Sequence, residues 1–170
     1  MRKDLPKRDP YKEKVLDLRR VARVMAGGKR FKFRATVAVG DERGRAGIGV
    51  GKGADVSQAI AKGRAAAVKN IITVPLWEGR TIPHEVQAKF SAARVILKPA
   101  SAGRGLKAGG AVRSVLAMVG VRDATAKCLG RTSNKLTNAW ATIGALASLK
   151  SSTPFNRRPK EEPAKPESAG

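Results

Sequence analysis

Apolar and polar side chains alternate along the segment from Phe31 to Val39. One parity is entirely apolar and consists of Phe31, Phe33, Ala35, Val37 and Val39. The other parity begins with Lys32, Arg34 and Thr36. Because successive side chains of a strand point to opposite faces, this period of two predicts a β-strand with one buried face. The alternation therefore predicts that this part of the chain belongs to a sheet.

The flanking segments predict the two neighbours of this strand. Residues 13–25 predict a first strand with one wet face, and its dry parity carries Leu16, Leu18, Ala22 and Val24. A turn at residues 26–30 and a hairpin loop at residues 40–44 are rich in glycine, which favours chain reversal. A glycine-rich strand follows over residues 45–51, so three antiparallel strands in a row are expected.

A helix is predicted after the third strand. Asp55 is positioned to cap it, and Gln58 lies three residues further on, as in a capping box. Apolar residues then recur at helical spacing as far as Ile71, and Pro75 is expected to end the helix. The first unit therefore has the predicted order β-β-β-α.

The second unit is predicted to have the order β-β-α-β-α. Its expected elements are a hairpin at residues 85–90 and 94–97, a helix at residues 111–119 that ends at Gly120, a strand at residues 123–129, and a last helix. Ser133 is expected to cap that helix, whose buried face would carry Leu136, Trp140, Ile143 and Ala147. Residues 99–110 contain four glycines and predict a flexible loop.

The predicted fold class is α+β with two small domains, at residues 14–77 and 78–150. Residues 1–13 predict a flexible N-terminal arm, and residues 151–170, with four prolines among Lys, Glu and Ser, predict a disordered tail. No stretch approaches 18 apolar residues, so no membrane span is expected, and no secretory signal is visible. The single cysteine, Cys128, fits a reducing compartment and a cytoplasmic location.

The charge of the chain is strongly positive. Its 35 Lys and Arg residues against 13 Asp and Glu residues give a formal net charge of +22. Residues 1–77 contribute +12, residues 78–150 contribute +9 and the tail contributes +1. The excess therefore lies on the folded part of the chain. Its positive charges repel one another there unless a polyanion neutralises them. This distribution favours nucleic acid as the partner, and no membrane.

The candidate RNA-binding cations follow the predicted sheet of the first unit and the start of the last helix. They are Arg19, Arg20, Arg23, Lys29, Arg30, Lys32, Arg34, Arg43, Arg45, Lys52, Arg131 and Lys135. Arginine grips phosphate with two parallel hydrogen bonds, and a sheet holds such side chains at fixed spacing. For any single residue the alternative is a solvated surface side chain.

An enzyme is disfavoured. The segment Gly49–Ala54 fits the dinucleotide pattern GxGxxA, but the strand before it is too polar for a buried parallel strand and Pro75 interrupts the next candidate. The alternative is close packing of a helix on a strand. The same segment lacks the first glycine and the Ser/Thr of a phosphate-binding Walker loop. His84 is the only histidine and has only Glu85 beside it, so we predict no catalytic residue, metal, cofactor or small-molecule substrate.

Several colinear motifs resemble one known family. They are Gly27-Gly28-Lys29-Arg30-Phe31, Val39-Gly40-Asp41, Gly44–Gly49, Ile82-Pro83-His84-Glu85, Lys98-Pro99-Ala100-Ser101, Ala108–Arg113, Ala126–Gly130, and Ser133-Asn134 with Asn138 and Ala141-Thr142. In this order, over residues 11–149, they are similar to the S-five family of bacterial small-subunit ribosomal proteins. The chain departs from the usual Gly-Thr-Gly of that family at Gly103-Arg104-Gly105.

The resemblance implies an N-terminal domain like those that bind double-stranded RNA, followed by a C-terminal α/β sandwich without catalysis. It implies binding to small-subunit ribosomal RNA at the head–body junction, contacts with proteins S-four and S-eight, mRNA near the channel through which it enters as a further partner, and an influence on translational accuracy. The implied protein interface comprises Gly103, Arg104, Gly105, Lys107 and Arg113. The implied spectinomycin-linked loop comprises Gly27, Gly28 and Lys29. The alternative is a non-ribosomal RNA-binding or RNA-chaperone module.

Overall fold

In the computed structural model of this protein, residues 11–150 are described. They form two four-stranded sheets with three helices, which confirms the α+β fold class. The predicted tail and residues 1–10 of the predicted arm lie outside the described residues. The remaining arm residues include Lys12 and Glu13, which already belong to the first strand.

The first sheet is antiparallel throughout and has the order β1-β2-β3-β4. Its strands are β1 (Lys12–Met25), β2 (Gly28–Gly40), β3 (Arg45–Gly53) and β4 (Ile71–Thr73). Helix α1 (Val56–Lys69) connects β3 to β4 and packs on β2 and β3. The order β-β-β-α is confirmed, with one strand added after the helix.

The end of α1 was predicted wrongly. Ile71 fits the helical period, yet the helix stops at Lys69 and Ile71–Thr73 forms β4 against Arg45–Gly47. These three residues are all β-branched, which lowers their preference for a helix and raises it for a strand. The capping box is also wrong, because Asp55 occupies the N-cap position but its side chain makes no capping hydrogen bond.

Strand β1 is exposed along most of its length. Of the four residues predicted on its dry parity only Leu16 is buried, while Leu18 and Val24 are 43% and 72% exposed. The pairing register shifts between Val15 and Asp17, so Leu16 sits in a bulge and the parity changes there. From Val21 to Lys32, β1 and β2 pair only with each other, as a hairpin that extends past the end of β3.

The glycines of β3 allow α1 to lie directly on the strand. A Cβ atom added to Gly51 would come within 2.1 Å of the Ala59 carbonyl oxygen, and one added to Gly49 within 2.2 Å of the Gly63 carbonyl oxygen. The helix backbone thus lies against the strand at these glycines. Close packing of a helix on a strand, the second of the two interpretations, therefore explains the GxGxxA pattern.

The second sheet has the order β5-β6-β8-β7. Its strands are β5 (Val86–Phe90), β6 (Ala93–Pro99), β7 (Leu106–Lys107) and β8 (Ala124–Cys128), and its helices are α2 (Gly110–Val119) and α3 (Lys135–Ala147). The hairpin, the strand at β8 and the Gly120 end of α2 were predicted correctly, since Gly120 has a φ of 97° in the left-handed region.

Three details of the second unit differ from prediction. The glycine-rich loop is not simply flexible, because it contains β7, which pairs in parallel with β8. The last helix is capped by Asn134, whose side chain accepts a hydrogen bond from the Leu136 backbone N–H, and not by Ser133. Ala147 is exposed, whereas Thr142 and Leu146 are buried, so the inward face of α3 is rotated from the predicted one.

Helices α2 and α3 lie between the two sheets. Helix α2 packs on β1, β2 and β3, and α3 packs on β5 and β6. Ala38 and Ile48 of the first sheet belong to the same buried cluster as Val95 and Leu97 of the second. The two predicted domains therefore share this hydrophobic core, and a second, smaller cluster lies between the first sheet and α1.

Candidate nucleic-acid interface

We call residues 18–34 the ribbon; they comprise the projecting hairpin and the adjoining residues of β1 and β2. A two-residue turn at Ala26 and Gly27 closes it, since Met25 pairs with Gly28. Gly27 has a φ of 89°, which is the conformation that the third position of a type II turn requires. The turn is shorter than predicted, so Lys29 and Arg30 lie within β2 rather than at the turn.

One face of the ribbon is cationic. Directly paired residues of antiparallel strands point to the same side, and the pairs here are Arg19 with Arg34, Val21 with Lys32, and Arg23 with Arg30. Of these cations only Arg19 has an ion-pair partner among residues 11–150, namely Asp17 at 2.6 Å. Two pairs of arginines thus stand directly opposite each other, which destabilises an isolated sheet.

Lys52 extends this face onto the third strand. It pairs with Arg34, which itself pairs with Arg19, so three cations form one row across β1, β2 and β3. Neighbouring strands lie about 4.8 Å apart. The start of α3 borders the row, because Lys135 Nζ lies 3.4 Å from Asp17 Oδ1 and a small cleft is lined by Arg19, Arg34 and Asn134.

The opposite face of the ribbon is mixed. It carries the pairs Arg20 with Phe33, Ala22 with Phe31, and Val24 with Lys29. The Arg20 guanidinium carbon lies 4.6 Å from the centroid of the Phe31 ring, in a cation–π contact. Arg20 and Lys29 therefore belong to a different surface from the other ribbon cations.

Two of the predicted cations lie at the β2–β3 loop. Arg45 Nε donates to Asp41 Oδ2 at 2.7 Å, and this hydrogen bond raises the pKa of Arg45. Burial opposes ionisation of Asp41, but hydrogen bonds from the Arg43 and Arg45 backbone N–H groups and from the Arg45 side chain outweigh it and lower the pKa of Asp41. Arg45 is thus engaged within the loop, while the Arg43 side chain is not buried.

The predicted interface at the glycine-rich loop is held by a residue that sequence reasoning missed. The buried carboxylate of Asp123 accepts a hydrogen bond from the Gly105 N–H at 2.9 Å and pairs with Arg80 at 3.1 Å. The Gly105 N–H lowers the pKa of Asp123, burial opposes this, and the Arg80 guanidinium lowers it further. Gly103 and Gly105 have φ values of 86° and 72°, so Arg104 is presented between two residues in the left-handed region.

The other predicted interface residues lie on separate elements of the same unit. Lys107 lies on β7 and pairs with Thr125, and Arg113 is exposed on α2. Arg131 is exposed just before α3. A signal for Asp123 existed in the sequence, since it is one of only three acids in residues 78–150, but nothing there indicated its partners.

The described residues offer little for catalysis or metal binding. His84 is half-buried, and its Nδ1 atom has no hydrogen-bond partner within residues 11–150. No group of three or more His, Cys, Asp or Glu side chains in that range is arranged to hold a metal ion. None of its helices has the length and apolar character needed to cross a membrane.

Known proteins match this chain over most of its length. Residues 11–75 match the family described as "Ribosomal protein S5, N-terminal domain", and residues 88–158 match "Ribosomal protein S5, C-terminal domain". The small ribosomal subunit protein uS5 of Thermosynechococcus vestitus is 49% identical over 144 residues, which are 85% of this chain and 82% of the relative. The corresponding protein of Acaryochloris marina is 49% identical over 140 residues, with coverage of 82% and 78%. The small ribosomal subunit protein uS5c of Cyanophora paradoxa is 44% identical over 155 residues, or 91% of each chain.

Proposed function

This chain belongs to the ribosomal protein S5 family, whose members are structural components of the small ribosomal subunit and not enzymes, and we propose that it binds ribosomal RNA chiefly through the cationic face of its ribbon. Ribosomal RNA and ribosomal proteins are its partners, and it acts in translation as part of the ribosome. The finer proposal concerns which surface meets the RNA and what that contact does.

The observation that carries the proposal is the pairing of like charges on the ribbon. Arg23 lies opposite Arg30, and Arg19 lies opposite Arg34 in a row with Lys52. Such pairs oppose folding of the free protein, so their presence fits a ligand that neutralises them. Phosphates do so, and A-form RNA is recognised largely through its backbone and shape. The ribbon also projects beyond the core, which leaves this face accessible.

The experiment is a filter-binding titration of the full chain with transcribed small-subunit ribosomal RNA across a salt series. If about six phosphates are engaged, the slope of log K against log salt is about −4 on the single-strand scale, and duplex geometry makes it steeper. The variant Arg23→Gln/Arg30→Gln should bind more weakly, with a slope shallower by between about 1 and 2. Lys62→Gln/Lys69→Gln on α1 removes the same charge from exposed positions elsewhere and should leave the slope unchanged.

An equal loss of RNA affinity in the two double variants would mean that binding depends only on net charge. The ribbon would then not be the interface. An unchanged slope in both would remove the phosphate-binding proposal itself.

We further propose that the loop Gly103-Arg104-Gly105 and Arg113 contact S-four, and that this contact influences accuracy. Asp123 anchors the loop through the Gly105 N–H, and the loop offers a small and polar surface there. Arg113→Glu should raise stop-codon readthrough while RNA affinity stays nearly unchanged. Normal readthrough together with weakened RNA binding would instead make Arg113 an RNA contact.

The remaining family-derived proposals are binding at the head–body junction, contacts with S-eight and with mRNA, and a link between the turn and spectinomycin. The turn at Gly27 and Gly28 and the adjoining Lys29 lie at the exposed tip of the ribbon. Lys29→Gln should change growth inhibition by spectinomycin in cells that depend on the variant, with no loss of protein stability. An unaltered drug response would separate the turn from that effect.

A further inference from the structure

The second sheet has one covered face and one exposed face. Val95, Leu97, Ala124 and Ala126 are buried towards the helices. The residues between them point the other way and are exposed cations, namely Lys89, Arg94, Lys98, Lys107 and Lys127. We call this surface, completed by Gln87, Ile96 and Thr125, the outer face of the second sheet. None of the cations on it was among the predicted RNA-binding residues.

The pairing register arranges these cations in rows. Lys89 pairs with Arg94 across β5 and β6, and Lys127 pairs with Ile96 across β8 and β6. Thr125 pairs with Lys98 on one side and with Lys107 on the other. Because strands lie about 4.8 Å apart, the outer face is a compact cationic surface on a rigid sheet.

Acidic side chains neutralise little of this charge. Lys98 lies 3.2 Å from Glu85, but both side chains are about half exposed, and such surface pairs contribute little to stability. Lys89, Arg94 and Lys127 have no ion-pair partner among residues 11–150. Lys89 and Arg94 are like charges directly opposite each other, which destabilises the sheet unless a polyanion is present.

We propose that this outer face is a second RNA-binding surface, which contacts the phosphate backbone of a segment different from the one at the ribbon. The inference rests on the proposed function, since it assumes that the chain binds RNA. The face carries no aromatic side chain on which bases could stack, so it suits backbone contacts in a structured RNA rather than single strands. The helix layer separates it from the first sheet, so one protein can hold two RNA segments at a fixed spacing.

An acidic protein is the competing occupant, and the composition of the face argues against it. Protein interfaces are built around buried aromatic or large apolar anchors. Among the residues that define the outer face, the half-buried Ile96 is the one large apolar side chain, and Leu129 at its border is exposed. Five cations around one aliphatic side chain match a phosphate backbone better than a protein surface.

The test compares Arg94→Gln/Lys127→Gln in the full chain with the control Lys62→Gln/Lys69→Gln. Both variants lose two exposed charges, and both should keep the wild-type melting temperature. With transcribed small-subunit ribosomal RNA, the outer-face variant should bind several-fold more weakly, with a salt slope shallower by between about 1 and 2. The control should match the wild type. Lys89→Gln repeats the test at the edge strand if the double variant does not fold.

Hydroxyl-radical footprinting separates the two surfaces. The outer-face variant should lose protection at nucleotides that Arg23→Gln/Arg30→Gln still protects. Normal RNA binding by the outer-face variant, with weakened binding by the ribbon variant, would overturn this inference and leave the proposed function intact. Normal binding by both would overturn the proposed function too. Normal RNA binding with reduced incorporation alongside purified ribosomal proteins would assign the face to a protein and overturn the inference.

Discussion

At the residue scale, the glycines facing α1 are required by a lack of space. A Cβ atom at Gly51 would lie 2.1 Å from the Ala59 carbonyl oxygen and 2.4 Å from the Gly63 nitrogen. Both contacts are with helix backbone, which cannot rotate away as a side chain can. Overpacking of a tight core costs about 1–3 kcal/mol, and we expect Gly51→Ala to cost about 3 kcal/mol in urea unfolding.

Gly144 provides the matched control for this substitution. It lies inside α3, and a Cβ atom there would meet only the Ala88 Cβ, at an ordinary contact distance of 3.9 Å. Alanine is the better helix former by about 1 kcal/mol, so Gly144→Ala should raise the free energy of unfolding. A similar loss of stability in both variants would mean that close approach to α1 is not the cause.

Asp123 is the second residue for which we predict an effect on stability. Its lowered pKa means that the folded state favours the carboxylate, so its contribution is complete above the unfolded pKa of about 3.9 and is lost as pH falls through the lower folded pKa. Asp123→Asn should therefore lower the urea midpoint at pH 7. The difference between wild type and variant should shrink below about pH 4.

Asp55→Asn is the control for the loss of a carboxylate. Asp55 is exposed, and its side chain makes no capping hydrogen bond, so this change should leave the urea midpoint nearly unchanged. If the difference between wild type and Asp123→Asn stayed constant from pH 7 to pH 3, the charge of Asp123 would not be the source of the effect.

At the element scale, the sequence predicted the strands better than the packing of helices on them. The alternation from Phe31 to Val39 predicted β2, and the strand is confirmed, but both of its faces are buried from Ala35 to Gly40 and Phe31 is exposed. The same pattern could not indicate how much of each strand would be covered. Helix α1, with 14 residues, is about 21 Å long, whereas the 14 residues of β1 span about 46 Å. No described helix is longer than 14 residues, so none can cover the whole of β1, and the far half of the strand extends into the ribbon.

The candidate site was predicted as a set of cations but not as a surface. Charge counting identified Arg19, Arg23, Arg30 and Arg34, and the pairing register then brings them to one face. The same count could not separate Arg20 and Lys29, which point to the other face. Such a division depends on the two-residue turn and the bulge at Leu16, because a one-residue shift moves every side chain to the opposite face.

The ribbon permits a prediction about the free protein. Arg30→Gln removes one of two directly opposed arginines, so without RNA it should raise the free energy of unfolding by a few tenths of a kcal/mol at low salt. This gain should vanish at high salt, where repulsion between exposed charges is screened. A loss of stability, measured by thermal melts at both salt concentrations, would show that Arg30 contributes to folding instead.

At the scale of the whole molecule, the predicted boundary after residue 77 marks a change of sheet but not a change of core. Ala38 and Ile48 lie on the face of the first sheet opposite α1, where α2 and α3 cover them. Residues that meet across this interface are far apart in sequence, and periodicity reports only on neighbours along one element. The shared core therefore could not be recognised from the sequence, although both units could.

The β2–β3 loop reinforces this connection. The Glu42 N–H donates to the Met118 carbonyl at 3.0 Å, and the Gly44 N–H donates to the Val119 carbonyl at 2.8 Å, so the loop caps the end of α2. A Cβ atom at Gly120 would lie 2.1 Å from the Glu42 carbonyl oxygen. Backbone groups of both units thus meet in this contact.

We therefore expect the two units to unfold together. Calorimetry of the full chain should give one transition whose calorimetric enthalpy equals its van't Hoff enthalpy. Gly120→Ala, which disturbs the loop against α2, should lower the single melting temperature, and the amides of β2 and β6 should lose protection from hydrogen exchange at the same temperature. If β2 amides exchanged well before those of β6, the units would be independent domains, because a core that spans both sheets cannot be lost from one sheet while it remains intact in the other.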